Sequence, residues 1–378
     1  MSAAVIRARL IVVLLLAVVS TGCTTLRPWQ REPRYRIIAY VMGRADIDAI
    51  DARKLTHVNY AFAKVSEAGE VVFEDPASPG HIARLQALKA KNPRLEVLVS
   101  VGGWGADHFS DAALTPESRA KFAASAVAML HCYGLDGIDL DWEYPGQPGP
   151  GIEYRPEDRE NFTLLLAAVR EALDVYAPSR RAAGRDPWLL TIASAAGSYF
   201  RHTEMDRLHV YLDWINVMTY DFFTPGSPTT GHHTGLYRVN DRPTYSVEDY
   251  VRQHIEAGIP REKIVVGAAF YGRGFTGVAP ENHGLYQPYE KYASSYSFSK
   301  LAAEYLGRHG FERHWDEAAR APWLWNAETA TFISYDDPAS IREKARFVRR
   351  HGLGGIMYWE HSHDPDEVLL TVLYHSLR

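Results

Sequence analysis

The chain has 378 residues, 46% of them apolar and 23% charged, an ordinary globular composition and enough length for one large domain, with or without an insert. A net charge of -5 with no run of like charges excludes the basic footprint of a nucleic-acid binder. Two cysteines, Cys23 and Cys132, leave stability to the core and not to a disulfide framework.

At the start, Arg7 and Arg9 precede an apolar run from Leu10 to Val19 that ends in Ser20-Thr21-Gly22-Cys23. The run is short for a membrane span and reads as an export signal over residues 1–23. Cys23 after small residues resembles the bacterial lipoprotein signal, with Ser20 where that signal usually carries Leu. This implies an exported protein lipidated at Cys23 and held at the cell envelope, with plain secretion or an uncleaved anchor as the alternatives. Residues 24–34, with Pro28 and Pro33, read as a tether. The folded domain is expected over 35–378, as a monomer whose contact with a membrane is through the N-terminal anchor alone.

From Tyr35 onward, short apolar runs recur, each followed by a segment with helical spacing. Strands are predicted at Arg36–Val41, His57–Ala63, Glu96–Val101, Gly137–Asp141, Leu189–Ser194, Trp214–Tyr220, Ile264–Phe270 and Gly355–Trp359. Helices are predicted at Pro116–Cys132, opened by Thr115 as N-cap with Pro at the first helical position, and at Pro156–Val175, Val247–Ala257 and Pro338–Arg350. Cys132 reads as a small apolar residue on its helix. Eight strand runs without polar alternation, separated by helices, fit a closed parallel (β/α)8 barrel, because every strand is apolar on both faces. About sixty residues, 274–332, interrupt the rhythm after the seventh strand and are too long for a plain loop; a small α+β subdomain is expected there.

Chemistry concentrates in Asp136-Gly-Ile-Asp139-Leu-Asp141-Trp-Glu143. On an extended strand Asp139, Asp141 and Glu143 share one face while Ile138, Leu140 and Trp142 share the other. Three acids at that spacing resist joint ionisation, so at least one retains a proton near neutral pH, as a general acid requires. Glu143 comes last, at the strand end that faces a barrel's active site, and Asp139 lies two residues deeper. Asp136 reads as structural, turning the chain into the strand.

The run from Asp136 to Glu143 reproduces the DxxDxDxE signature of the family-18 glycoside hydrolases, the chitinase family, which this chain therefore resembles. Ser100-Val-Gly102-Gly103-Trp104, Met218-Thr-Tyr220-Asp221, Tyr271-Gly-Arg273-Gly-Phe on the seventh strand and Gly355-Ile-Met-Tyr-Trp359-Glu resemble further segments of that family in the same order. The long insert resembles that of the deep-cleft bacterial chitinases. The resemblance implies retaining, substrate-assisted hydrolysis of β-1,4-linked N-acetylglucosamine chains, in chitin or chitooligosaccharides. Glu143 would be the acid, and Asp141 and Tyr220 would hold the acetamido group. Asp139 would share a proton with Asp141. Trp359 would form the sugar's floor, with Tyr40, Phe62, Trp104, Tyr144, Met218, Asp221 and Arg273 around it. Neither a cofactor nor a metal is called for.

Other readings are weaker. A sugar-binding lectin on the same barrel is disfavoured by the retained Glu143. Cleavage of an N-glycan core or of cell-wall glycan keeps the enzyme and changes its substrate. His232-His233 and His361-Ser-His363 lack zinc spacing and read as solvated or capping residues. Gly102-Gly103 lacks the rest of a phosphate-loop pattern and reads as a tight turn beside the sugar.

Overall fold

The computed structural model describes residues 34–239 and 245–378. The export signal with Cys23 and the tether up to residue 33 lie outside the described residues. Among those described, eight parallel strands close into a barrel. They are Arg36–Met42, His57–Val65, Glu96–Gly102, Gly137–Asp141, Leu189–Ser194, Trp214–Val217, Ile264–Ala269 and Gly355–Trp359. Each pairs in parallel with the next, and the first closes the ring by pairing with both the second and the eighth. The sixth and seventh end earlier than their apolar runs suggest, so Met218–Asp221 and Phe270 lie in the connections beyond.

The helices form where capping chemistry allows. Pro116–Tyr133 opens with a capping box in which Thr115 Oγ1 accepts from the Ser118 amide at 3.1 Å and Ser118 Oγ accepts from the Thr115 amide at 2.9 Å. It stops at Gly134, whose left-handed φ of 63° a side chain would disfavour. Pro338–His351 repeats the device with Asp337 and Ser340 at its start and Gly352 at its end. The outward faces of the strands pack on these helices. Just past the fourth strand's end, Trp142 likewise stacks on Phe109 of the helix Phe109–Leu114 at 5.3 Å and meets Phe162 of the helix Asp158–Asp174 edge-on at 5.4 Å. Cys132 departs from its apolar reading: it lies on the helix but is exposed.

The inserted segment is dominated by a five-stranded antiparallel sheet in the order Lys291–Ser297, Tyr271–Thr276, Thr331–Tyr335, Ala321–Asn326, Glu312–Asp316, with a helical stretch over 298–305. Its own core gathers Phe275, Val278, Leu285, Trp323, Trp325 and Phe332. The sheet begins at Tyr271, so the Tyr271–Phe275 run predicted on the seventh barrel strand instead forms the subdomain's first strand. Phe270 stacks on Tyr358 at 4.1 Å between the two sheets.

A buried polar knot ties the insertion to the barrel. Asp336, which follows the last inserted strand, accepts from Lys344 Nζ, from Ser340 Oγ at 2.6 Å and from the Ala269 amide at 3.1 Å. Lys344 also donates to Thr234 Oγ1, and Thr234 in turn donates to the Thr219 carbonyl at 2.9 Å, one residue before Tyr220. Both charged groups are 1% exposed, so neither can exchange its partner for water. Lys344→Met, which strands Asp336, is expected to lower unfolding free energy by about 3–5 kcal/mol. Urea denaturation reads this directly, and an unchanged midpoint would show the pair to be dispensable.

Candidate active site

At the C-terminal ends of the barrel strands a cavity of about 810 Å³ opens between the barrel and the inserted sheet, within the size range of small-ligand sites. Its lining includes Glu143 and Asp141 from the fourth strand's end, Tyr220, Asp221 and Met218 after the sixth, and Trp359 at the end of the eighth. Tyr40, Phe62, Trp104, Tyr144 and Arg273 also line it. Eleven residues singled out from sequence thus meet in one space. Asp139 lies behind the wall and is fully buried. Asp136 is outside the site: its carboxylate accepts from the Val97 amide at 2.8 Å and from Lys89, fixing the turn into the fourth strand.

Strand register explains the environment of Asp139. Ser100 of the third strand stands beside Asp139, and Asp139 beside Thr191 of the fifth, in one row. The carboxylate accepts from Ser100 Oγ at 2.8 Å, Tyr40 Oη at 2.9 Å, Thr191 Oγ1 at 2.6 Å and Asn216 Nδ2 at 3.1 Å. Burial pushes its pKa up and these donors offset the rise only in part, so it stays above the usual carboxylate value. Four donors meet its two oxygens, and three of them are hydroxyls that can turn to accept, which leaves Asp139 able to take up a proton.

Asp141 differs. Buried, and facing both Glu143 and Asp139, it is pushed well above the usual carboxylate range. Its Oδ1 has no hydrogen-bond partner among the described residues. Glu143, just past the strand's end, is raised to about 7, chiefly by burial; Tyr144 and Lys64 draw it back and Asp221 pushes it further. All three acids are raised, and the two members that line the cavity, Asp141 and Glu143, are among those that retain a proton. Tyr220 Oη, also in the lining, has only the weak contact of Met357 Sδ at 4.0 Å. The peptide bonds Ala61–Phe62, Glu143–Tyr144 and Trp359–Glu360 are cis.

The opposite wall is set by Asp221, in the left-handed region at φ 60°. Arg273 of the inserted sheet grips it with a fork, Nε to Oδ1 at 2.8 Å and Nη2 to Oδ2 at 2.6 Å, and Tyr271 Oη donates to Oδ1 at 2.8 Å. Burial alone would raise Asp221, but His233, 3.6 Å away, and the Arg273 fork hold it well below the usual range. Aromatic faces complete the enclosure. Phe62 stacks on Trp359 at 5.6 Å, Tyr40 tilts against Trp359 at 5.8 Å, and Trp104, 65% exposed, stands at the rim against Tyr144.

Three of the histidines singled out from sequence are buried and not solvated, while His363 is partly exposed and lines the cavity. His232 and His233 are buried, the first 3.2 Å from Asp316 and the second behind Asp221, while buried His361 shares a hydrogen bond with Tyr358 at 2.9 Å. Sequence reasoning gave no role to Lys64, Tyr250, Tyr271 or His233. Lys64 stands two residues after Phe62, so strand alternation carried a signal for it. For His233 and for Tyr250, which comes from the helix Val247–Glu256, no local pattern did.

Thr191→Val removes one donor from the buried Asp139 without changing side-chain shape. A loss of about 1.5–3 kcal/mol is expected in denaturant unfolding at pH 7, the range for a hydrogen bond to a charged group. No loss would speak against an ionised Asp139.

The family model "Glycosyl hydrolases family 18" matches residues 30–364. Chitinase A1 of Niallia circulans is 35% identical over 90% of this chain, which spans 58% of that longer protein. Chitinase B of Serratia marcescens is 30% identical, with 85% of this chain and 75% of that protein covered. Among solved structures, a family-18 N-acetylglucosaminidase from Paenibacillus barengoltzii superposes with a TM-score of 0.83 at 42% identity, over 90% of this chain and 99% of that one.

Proposed function

Because the chain belongs to family 18 of the glycosyl hydrolases, we propose that it hydrolyses chains of β-1,4-linked N-acetylglucosamine with retention of configuration, the substrate's own acetamido group serving as nucleophile. The observation that carries this reading is the division of labour among the acids. Glu143 keeps its proton up to about pH 7, and Asp141 offers a buried oxygen without a partner. The third acid lining the cavity, Asp221, is locked in the Arg273 fork. A retaining enzyme of the two-carboxylate kind needs an ionised and unencumbered carboxylate as nucleophile. Asp221 is encumbered, and Asp141 favours its proton.

In this mechanism Glu143 gives its proton to the glycosidic oxygen as the bond to the anomeric carbon breaks. The acetamido carbonyl oxygen closes on that carbon, and the positive charge spreads over an oxazolinium ring. Asp141 Oδ1 accepts the acetamido N–H and balances the charge, passing its own proton toward Asp139 as it ionises. Tyr220 Oη orients the carbonyl oxygen. Trp359 lies beneath the sugar, whose axial C–H face is apolar while its rim is polar. Water then adds to the anomeric carbon from the face the acetamido group shields least. Glu143 takes the water's proton, the oxazolinium opens, and the β-anomer forms with Glu143 protonated again.

Endo-cleavage and release of single sugars from an end share this chemistry. The exposed Trp104 at the rim, beyond the aromatic faces of Trp359, Phe62 and Tyr40, favours a chain lying across the site, hence chitin-type substrates. A lectin would have no use for a carboxyl tuned to about pH 7.

Glu143→Gln is expected to lose about 10²–10⁴-fold in kcat on chitohexaose while still binding it. Products of the unaltered protein should appear first as β-anomers by NMR. Early α-anomers would rule out retention, and cleavage that survives the substitution would remove Glu143 from its role. Since only protonated Glu143 can act as acid, kcat/KM should fall as pH rises through about 7. A profile flat to pH 9 would contradict that assignment.

A further inference from the structure

The cavity wall between Phe62 and Gly102 carries a cation that the mechanism above does not use. Lys64 follows Phe62 by two residues on the second barrel strand, and both line the cavity. Its Nζ donates to the Gly102 carbonyl at 2.7 Å and stands 5.3 Å from the centre of the Phe62 ring. Lysines on a barrel rim usually extend their amine into water. This one is half-buried, pinned by a carbonyl against the wall of the cleft.

Contacts give its place along the substrate. Trp359 stacks on Phe62, the Lys64 ammonium stands near the Phe62 ring and is anchored at Gly102, and Gly103 and Trp104 follow Gly102 along the cavity lining to the rim. With Trp359 beneath the reacting sugar, Lys64 is one aromatic ring further along, toward Trp104. Trp104 packs on Tyr144, the residue after Glu143, so this side is the acid's side, toward which the leaving sugar would depart with the oxygen that Glu143 protonates. Glu74, Asp141 and Glu143 face the ammonium, and burial lowers its pKa against their pull. Asp141 and Glu143 favour their protons, and Glu74 is exposed, where solvent screens it, so Lys64 presents positive charge to the cleft.

We infer that Lys64 sets the charge selectivity of the subsite receiving the leaving-group sugar, admitting N-acetylglucosamine and excluding the ammonium of a deacetylated glucosamine unit. The neutral acetamido oxygen can accept from Lys64, whereas a second ammonium in the same walled space is repelled. Discounted for partial exposure, repulsion of this kind biases occupancy roughly tenfold. The inference rests on the proposed glycosidase reading and adds a substrate preference to it.

Hydrolysis of a chitosan of intermediate acetylation separates the two, because each cut creates two ends. The new reducing end reports the reacting sugar, and the new non-reducing end reports the sugar that lay near Lys64. With the unaltered protein, mass-spectrometric sequencing is expected to find glucosamine depleted about tenfold at new non-reducing ends relative to the substrate. Lys64→Met should abolish that depletion and Lys64→Arg, which keeps the charge, should preserve it. New non-reducing ends with the substrate's own glucosamine content in the unaltered protein would overturn the inference whether or not the variants fold. Depletion that persists in Lys64→Met would also overturn it. Glucosamine at new reducing ends would instead refute the acetamido-assisted mechanism.

Discussion

Asp139, a carboxylate with no solvent access, is the constraint around which the site is arranged. Burying it costs several kcal/mol unless its lone pairs are met, and four donors from four other barrel strands meet them. Those donors come together only if the barrel closes in its observed register, with Ser100, Asp139 and Thr191 in one row. Asp141, facing both Glu143 and Asp139, is pushed well above the usual carboxylate range. Glu143, withdrawn from water and facing Asp221, has its own pKa lifted to about 7.

A second constraint comes from the inserted sheet, which shapes the site as well as walling it. Arg273 reaches from its first strand to fork Asp221, and Tyr271 from the same strand adds a third bond. This removes a cavity-lining carboxylate from the competition for protons and keeps it permanently charged. The insertion can do so only while seated on the barrel. The buried Lys344–Asp336 knot joins the end of its last strand to the seventh barrel strand and, through Thr234, to the connection that carries Tyr220 and Asp221. Breaking the knot therefore reaches the site through the backbone as well as through global stability.

Charge is apportioned sparingly across the cavity. Asp221 is neutralised by Arg273, Asp141 and Glu143 favour their protons, and Lys64 supplies a cation on one wall. A neutral, acetylated sugar suits such a surface. The aromatic faces of Trp359, Phe62 and Tyr40 complement its apolar side, and the unpaired oxygens and hydroxyls complement its rim.

Much of this was legible in the chain alone. Eight apolar runs gave eight strands because each is buried on both faces, and the Thr115 and Asp337 caps marked helix starts because their chemistry is local. The period-two spacing of Asp139, Asp141 and Glu143 placed the acids on one face. Local order could not tell where the seventh strand yields to the inserted sheet, since strand residues lie on both sides of Phe270 and only pairing partners distinguish them. Nor could it tell that His232 and His233 would be buried, or that Cys132 would face water. Residue types and their order determined the barrel and the chemistry it could hold. Tertiary structure decided which acids keep their protons, which one Arg273 captures and which wall carries Lys64, because a pKa depends on burial and on donors brought together from strands far apart in sequence.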